Sequence, residues 1–137
     1  MPSDLERIRE LALRETARKR DEWQKNQDFQ NNEARRLARE HLPLWVNSIE
    51  RVIQQGANLS INLTFEVHQG FFGIKRRWLE TSSDLAPSID LDKLVQFPIH
   101  TYTEELTLLL GKPFVISVSI SGETMATFNI QWDPRAE

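Results

Sequence analysis

At Leu59 the apolar residues of this chain change period, from steps of three and four to strict alternation. Before that point Ala34, Ala38, Leu42, Trp45, Ile49, Val52 and Ile53 recur at helical spacing. After it Leu59, Ile61, Leu63, Phe65 and Val67 alternate with Ser60, Asn62, Thr64, Glu66 and His68. Such alternation belongs to a strand with one buried and one solvated face. A chain that is helical first and alternating afterwards has to lay helices on one face of a sheet.

The helical half divides in two on its pattern. Residues 3–25 read as a first helix, with Ser3 as N-cap and Glu6 at the capping-box position. Leu5, Ile8 and Ala12 share a face there, with Leu11 beside them. Beyond Ala17 the apolar stripe thins to Trp23 and Phe29, which predicts a helix that is solvent-bridging or partnered. Residues 24–32 are rich in Asn and Gln, poorer helix formers than Ala, and predict a loop or frayed link. The second helix follows, with a kink or new start expected near Leu42 because Pro43 interrupts it. Gly56 is its expected end.

The alternating half predicts two hairpins. Leu59–Val67 and Phe71–Thr81 form the first, turning at Gln69-Gly70. Residues 81–92 read as loop, Leu91–Phe97 as a short helical turn, and Thr101 with Glu104 as the capped start of a helix that Gly111 and Pro113 close. Phe114–Ile120 and Ala126–Trp132 form the second hairpin, turning at Gly122-Glu123 and stopped by Asp133-Pro134. The expected fold is α+β in the order ααββαββ, two N-terminal helices packed on a mostly antiparallel four-stranded sheet. Residues 1–137 fit one domain. Within it, 1–30 form a projecting or partner-dependent helix and 33–137 the α+β core.

Composition removes whole classes of chemistry. The chain has no cysteine, which excludes thiol nucleophiles, Cys-based zinc sites, iron–sulfur clusters and disulfide scaffolds. It has no apolar run of about 18 residues, so no membrane partner is expected. Its charged start lacks the apolar stretch of a secretion signal, so the expected location is cytoplasmic and Asn58-Leu59-Ser60 and Asn62-Leu63-Thr64 read as chance glycosylation matches. Residues 1–56 carry 11 Lys/Arg against 10 Asp/Glu, whereas residues 57–137 carry 6 against 10, so the two-signed charge density lies on the helical half. That is the composition of exposed helix.

Three features are candidate contact surfaces. Ser60, Asn62, Thr64, Ser117, Ser119, Thr127, Asn129 and Gln131 make a nearly uncharged polar sheet face. The plain reading is an ordinary solvated face; the functional one is a docking surface, since neutral groups lose less on desolvation than ions. The N-terminal helix adds Trp23 and Phe29, and its Arg14, Arg18, Lys19, Arg20, Arg35, Arg36 and Arg39 interleave with acids as i,i+4 neighbours. The stretch 70–78 places Phe71 and Phe72 beside Lys75, Arg76, Arg77 and Trp78, a basic-aromatic run that suits phosphates and stacked bases.

Catalytic signals are absent from the spacing. His41, His68 and His100 are scattered, and Asp90-Leu91-Asp92 lacks the oxygen-rich pattern of a calcium loop. No Gly-x-Ser-x-Gly, phosphate-binding or dinucleotide motif occurs, so no cofactor, metal or catalytic residue is expected. The leading expectation is a non-enzymatic interaction, assembly or adaptor protein, with a protein partner or a homo-oligomer formed through Trp23, Phe29, Phe71 and Phe72. The alternatives are a nucleic-acid-binding module using Lys75, Arg76, Arg77 and Trp78 with the helix arginines, and a small enzyme with a helix–sheet pocket around His68 or His100.

Overall fold

The computed structural model describes residues 3–56, 59–71, 73–122 and 124–132. Its elements are α1 (Asp4–Gln54), β1 (Ser60–Gly70), β2 (Gly73–Trp78), α2 (Glu80–Ser83), α3 (Leu91–Leu94), α4 (Ile99–Leu110), β3 (Val115–Ser121) and β4 (Met125–Gln131). The N-terminal half is helical, and the strands form one antiparallel sheet in the order β2-β1-β4-β3, as the change of period predicts.

The two expected N-terminal helices are joined into one of 51 residues, about 76 Å long at 1.5 Å per residue. Ser3 caps it, its Oγ accepting from the Glu6 amide at 3.3 Å. The expected loop at 24–32 is helical because its side chains pair along the helix and onto the body. Gln24 donates to Asp28 at 3.1 Å, and Asn31 accepts from the Thr101 hydroxyl at 3.1 Å. Pro43 lies inside the helix on its exposed side, and having no N–H it leaves the carbonyl of exposed Arg39 without its helical amide partner. Gly56, at φ 83°, follows the helix end as expected.

Smaller boundaries also move. β1 continues through Gly70, which pairs with Gly73, so the reversal falls between those glycines and β2 starts two residues later than predicted. The α4 helix begins at Ile99 rather than at a Thr101 cap, because the Pro98 carbonyl already accepts the Tyr102 amide and the Thr101 hydroxyl is committed to Asn31. The expected stop at Asp133-Pro134 lies outside the described residues.

The core sits between one sheet face and the C-terminal half of α1 with α4. Leu63, Phe65, Ile116, Val118, Ala126, Phe128 and Ile130 meet Ala34, Leu37, Ala38, Trp45, Ile49, Tyr102 and Leu106. Phe128 is its centre, with its ring centroid 5.1 Å from Trp45, 5.8 Å from Phe65 and 5.9 Å from Trp78. The Tyr102 hydroxyl joins the helices. It accepts from Trp45 Nε1 at 2.7 Å and lies 2.8 Å from His41 Nδ1. Burial pushes the Tyr102 hydroxyl far above its usual pKa, so it stays protonated, and burial lowers that of His41. With its oxygen accepting from Trp45, the hydroxyl completes a hydrogen-bonded chain from Trp45 to His41.

Candidate interaction site

The body covers α1 only from about Gln27 onward; residues 3–26 are exposed throughout. This arm runs about 35 Å clear of the core at 1.5 Å per residue. Two arginines of the arm are ion-paired along the helix. Arg18 reaches Glu15 at 2.7 Å and Glu22 at 2.9 Å, and Arg7 reaches Asp4 at 3.4 Å. Further along, Arg36 lies 2.7 Å from Glu33 and also contacts Glu40, and Arg39 lies 3.7 Å from Glu105 of α4. Of the helix arginines, Arg7, Arg18, Arg36 and Arg39 are thus in ion pairs, and among the described residues Arg9, Arg14, Arg20, Arg35 and Arg51 are not.

Its apolar residues are not covered. Trp23 is 62% exposed and Phe29 58%, and Leu5, Ile8, Leu11 and Leu13 are exposed as well. Ala12, Trp23, Ala34 and Trp45 follow one another at intervals of 11 residues, about three turns, so they lie on one face. Ala34 and Trp45 are buried in the core and Ala12 and Trp23 face solvent. The face that packs the body therefore recurs in the arm at Leu5, Ile8, Ala12 and Trp23, with Thr16, Lys19 and Arg20 between the last two. That interval was present in the sequence, but the expected loop at 24–32 hid it.

The hairpin tip separates the remaining predicted residues. Phe71 is 98% exposed at the tip, while Phe72 lies outside the described residues. Lys75 and Arg77 are exposed on β2, Arg77 lying 3.6 Å from Glu66. Arg76 is held by Asp92, which accepts from its amide at 3.0 Å and from its guanidinium at 3.2 Å. Trp78 is half-buried, its Nε1 donating to the Pro87 carbonyl at 3.1 Å and its ring set edge-on to Phe65. The basic-aromatic run is thus split: its aromatic plugs the core, and only Lys75 and Arg77 reach outward.

The open sheet face is built from aligned polar rows. Asn129 Nδ2 donates to Asn62 Oδ1 at 2.8 Å, and the Thr64 and Thr127 hydroxyls lie 2.9 Å apart. Ser117 and Ser119 extend the same rows, through the pairs Ser117–Asn129 and Ser119–Thr127. Toward the β1–β2 end the face becomes charged, with Glu66 opposite Arg77 and His68 opposite Lys75.

His68 and His100 are exposed, and among the described residues neither bonds a carboxylate; His41 belongs to the Tyr102 network. Asp90 caps α3 by accepting from the Lys93 amide at 3.2 Å, and Asp92 serves β2. Among the described residues no group of three or more His, Cys, Asp or Glu side chains could hold a metal. No described helix is long and apolar enough to cross a membrane. A cavity of about 170 Å³ beside Phe65, Val67, Phe97 and Ile99 contains one ionisable side chain, Arg76, which is already paired.

Comparison with family models, curated proteins and solved structures gives no match. The arm, the hairpin tip and the neutral face therefore have to be read on their own chemistry.

Proposed function

We propose that this chain is a non-enzymatic assembly or adaptor protein that captures a protein partner along the arm of α1, with the neutral sheet face as a secondary surface. The observation that carries the reading is the recurrence of the α1 face in the arm. The residues that pack the body at Ala34, Ala38, Trp45 and Ile49 have their counterparts in the arm at Leu5, Ile8, Ala12 and Trp23, with nothing laid over them. An amphipathic helix of the partner is the occupant this stripe suits.

The exposed stripe sets what a partner must add. Covering Leu5, Ile8 and Trp23 removes apolar surface worth roughly 1–2 kcal/mol for each residue, given how exposed they already are. That total of about 3–6 kcal/mol from this chain's side lies below the roughly 8 kcal/mol net of micromolar binding even before the cost of association, so the partner has to bring a comparable apolar area of its own. The cysteine-free composition supports a cytoplasmic setting for that partnership.

The test is affinity capture from native lysate with three baits: the full chain, an Ile8→Ser/Trp23→Ser variant, and a chain lacking residues 1–26. The deletion stops at 26 because Gln27, Gln30 and Asn31 already pack against the body. Both altered baits should lose the captured protein while melting within about 1 °C of the parent, since no buried residue is touched. Equal capture by all three would refute the reading. Capture abolished by nuclease would transfer it to Lys75 and Arg77.

A further inference from the structure

The two edges of the sheet are finished differently. Residues of an antiparallel strand turn their N–H and C=O alternately to the two sides. Leu59 accepts from Trp132 and Thr64 accepts from Leu79, which fixes that alternation across the sheet. On β2 it aims Ile74, Arg76 and Trp78 outward; on β3 it aims Ile116, Val118 and Ile120 outward.

The β2 edge is charged and is capped at one amide. Asp92, in α3, takes the outward Arg76 amide, and Lys75, Arg76 and Arg77 put three cations along six residues. Such charge is how exposed edges resist further pairing. The β3 edge is closed at one end only. Thr107 of α4 accepts the outward Ile116 amide at 3.0 Å, its hydroxyl lying 3.1 Å from the Ile116 carbonyl and 2.9 Å from that of Thr103. Among the described residues no side chain or loop takes the outward groups of Val118 and Ile120. The strand reads Val-Ile-Ser-Val-Ser-Ile-Ser, with no charge and no proline. Ile120 points to the helix-covered side yet is 60% exposed.

We propose that the β3 edge pairs with the β3 edge of a second copy of this chain, antiparallel about a two-fold axis at Ser119, joining two sheets into one of eight strands. This surface is distinct from the arm, and the proposal does not depend on the arm's partner. The register follows from the Thr107 cap. With Ile116 engaged, the free outward groups belong to Val118 and Ile120, and pairing Val118 with Ile120 of the second copy uses all of them. Four main-chain hydrogen bonds form, Ser119 faces its own symmetry mate, and Val118 of the second copy covers Ile120. Pairing β3 to β2 instead would be head-to-tail, would meet an amide already held by Asp92, and would build an open chain of copies rather than a closed dimer. Pairing β2 to β2 would set like charges opposite each other.

The chain has no cysteine of its own, so single cysteines report the register directly. In the full-length protein Ser119→Cys should form an intermolecular disulfide under mild oxidation. Facing residues of a non-hydrogen-bonded pair bring their Cβ atoms within about 4.5–5.5 Å, close to disulfide reach. Ser117→Cys lies opposite Ser121 of the second copy, well away from its own mate, and should stay largely uncrosslinked. Light scattering at micromolar concentration should give twice the 16.0 kDa of one chain for the parent and 16.0 kDa for a folded Ile120→Lys variant. A monomeric parent would overturn the proposal. So would Ser117→Cys crosslinking as readily as Ser119→Cys, or an Ile120→Lys dimer. A dimer that Ser119→Cys fails to lock would also overturn it, and would locate self-association on the arm instead.

Discussion

Replacing Tyr102 with Phe removes one oxygen atom from the centre of the molecule and leaves every ring in place. The oxygen accepts from Trp45 Nε1 at 2.7 Å and faces His41 Nδ1 at 2.8 Å. Trp45 and Tyr102 are both fully buried, so no water can replace the lost acceptor on the Trp45 side, whereas half-exposed His41 can turn to solvent. An orphaned buried donor costs about 1–3 kcal/mol, against about 1 kcal/mol for an ordinary hydrogen bond whose groups are rehydrated. The expected loss is therefore about 2 kcal/mol. For a domain of this size that lowers Tm by roughly 8 °C, at about 4 °C per kcal/mol.

A double-mutant cycle isolates the cause. Trp45→Phe removes the donor as well, so on that background Tyr102→Phe should cost only about 0.5 kcal/mol, giving a coupling of about 1–2 kcal/mol. Urea unfolding followed by tryptophan fluorescence and by far-ultraviolet circular dichroism supplies the four stabilities. If Tyr102→Phe costs under about 0.5 kcal/mol in the parent, or the same on both backgrounds, the hydroxyl is not bridging the helices.

Two further outcomes follow from the same geometry. Burial holds the His41 pKa below its usual 6.5, with Lys93 pulling the same way and Glu40 and Asp90 opposing. The unfolded chain then takes its proton first, so this contribution is intact above pH 6.5 and is lost as pH falls through the lower folded value. Stability should drop between pH 8 and pH 5.5, and His41→Gln should flatten that slope; an unchanged slope in the variant would assign it elsewhere. Gly111, at φ 72° and ψ 172°, ends α4 in a region open essentially to glycine alone, and an added Cβ there meets nothing within 4 Å. Gly111→Ala should therefore cost about 1–3 kcal/mol through the backbone only, measured by thermal melting, with no change in the circular dichroism of the folded state.

The fold was legible where the pattern was local. Alternation at Leu59–Val67 and Ala126–Trp132 gave the strands, and each strand's apolar side became the buried one at Leu63, Phe65, Phe128 and Ile130. At 24–32 single-residue propensity points away from the helix that forms. Asn and Gln are weak helix formers alone, but Gln24 to Asp28 and Asn31 to Thr101 are bonds that only the helix makes available. Pro43 sits on the exposed side of α1, and the helix runs on through it to Gln54.

The candidate surfaces were harder to read, since what defines them is long-range capping. Nothing in Lys75-Arg76-Arg77-Trp78 announces that Asp92 will take the Arg76 amide or that Pro87 will take the indole, yet those two bonds turn a basic-aromatic run into an edge capped at one amide. Nothing in Val115–Ser121 announces that Thr107 will reach the Ile116 amide but no further. Both edges are strands with outward main-chain groups, and the difference between them lies in residues 9 to 16 positions away in sequence. On β2 the Asp92 carboxylate takes only the Arg76 amide, and it is the cations Lys75, Arg76 and Arg77 that oppose further pairing there. An uncharged edge capped at one residue of three leaves a fixed register open, and a fixed register favours a strand carrying the matching pattern, which this chain itself supplies.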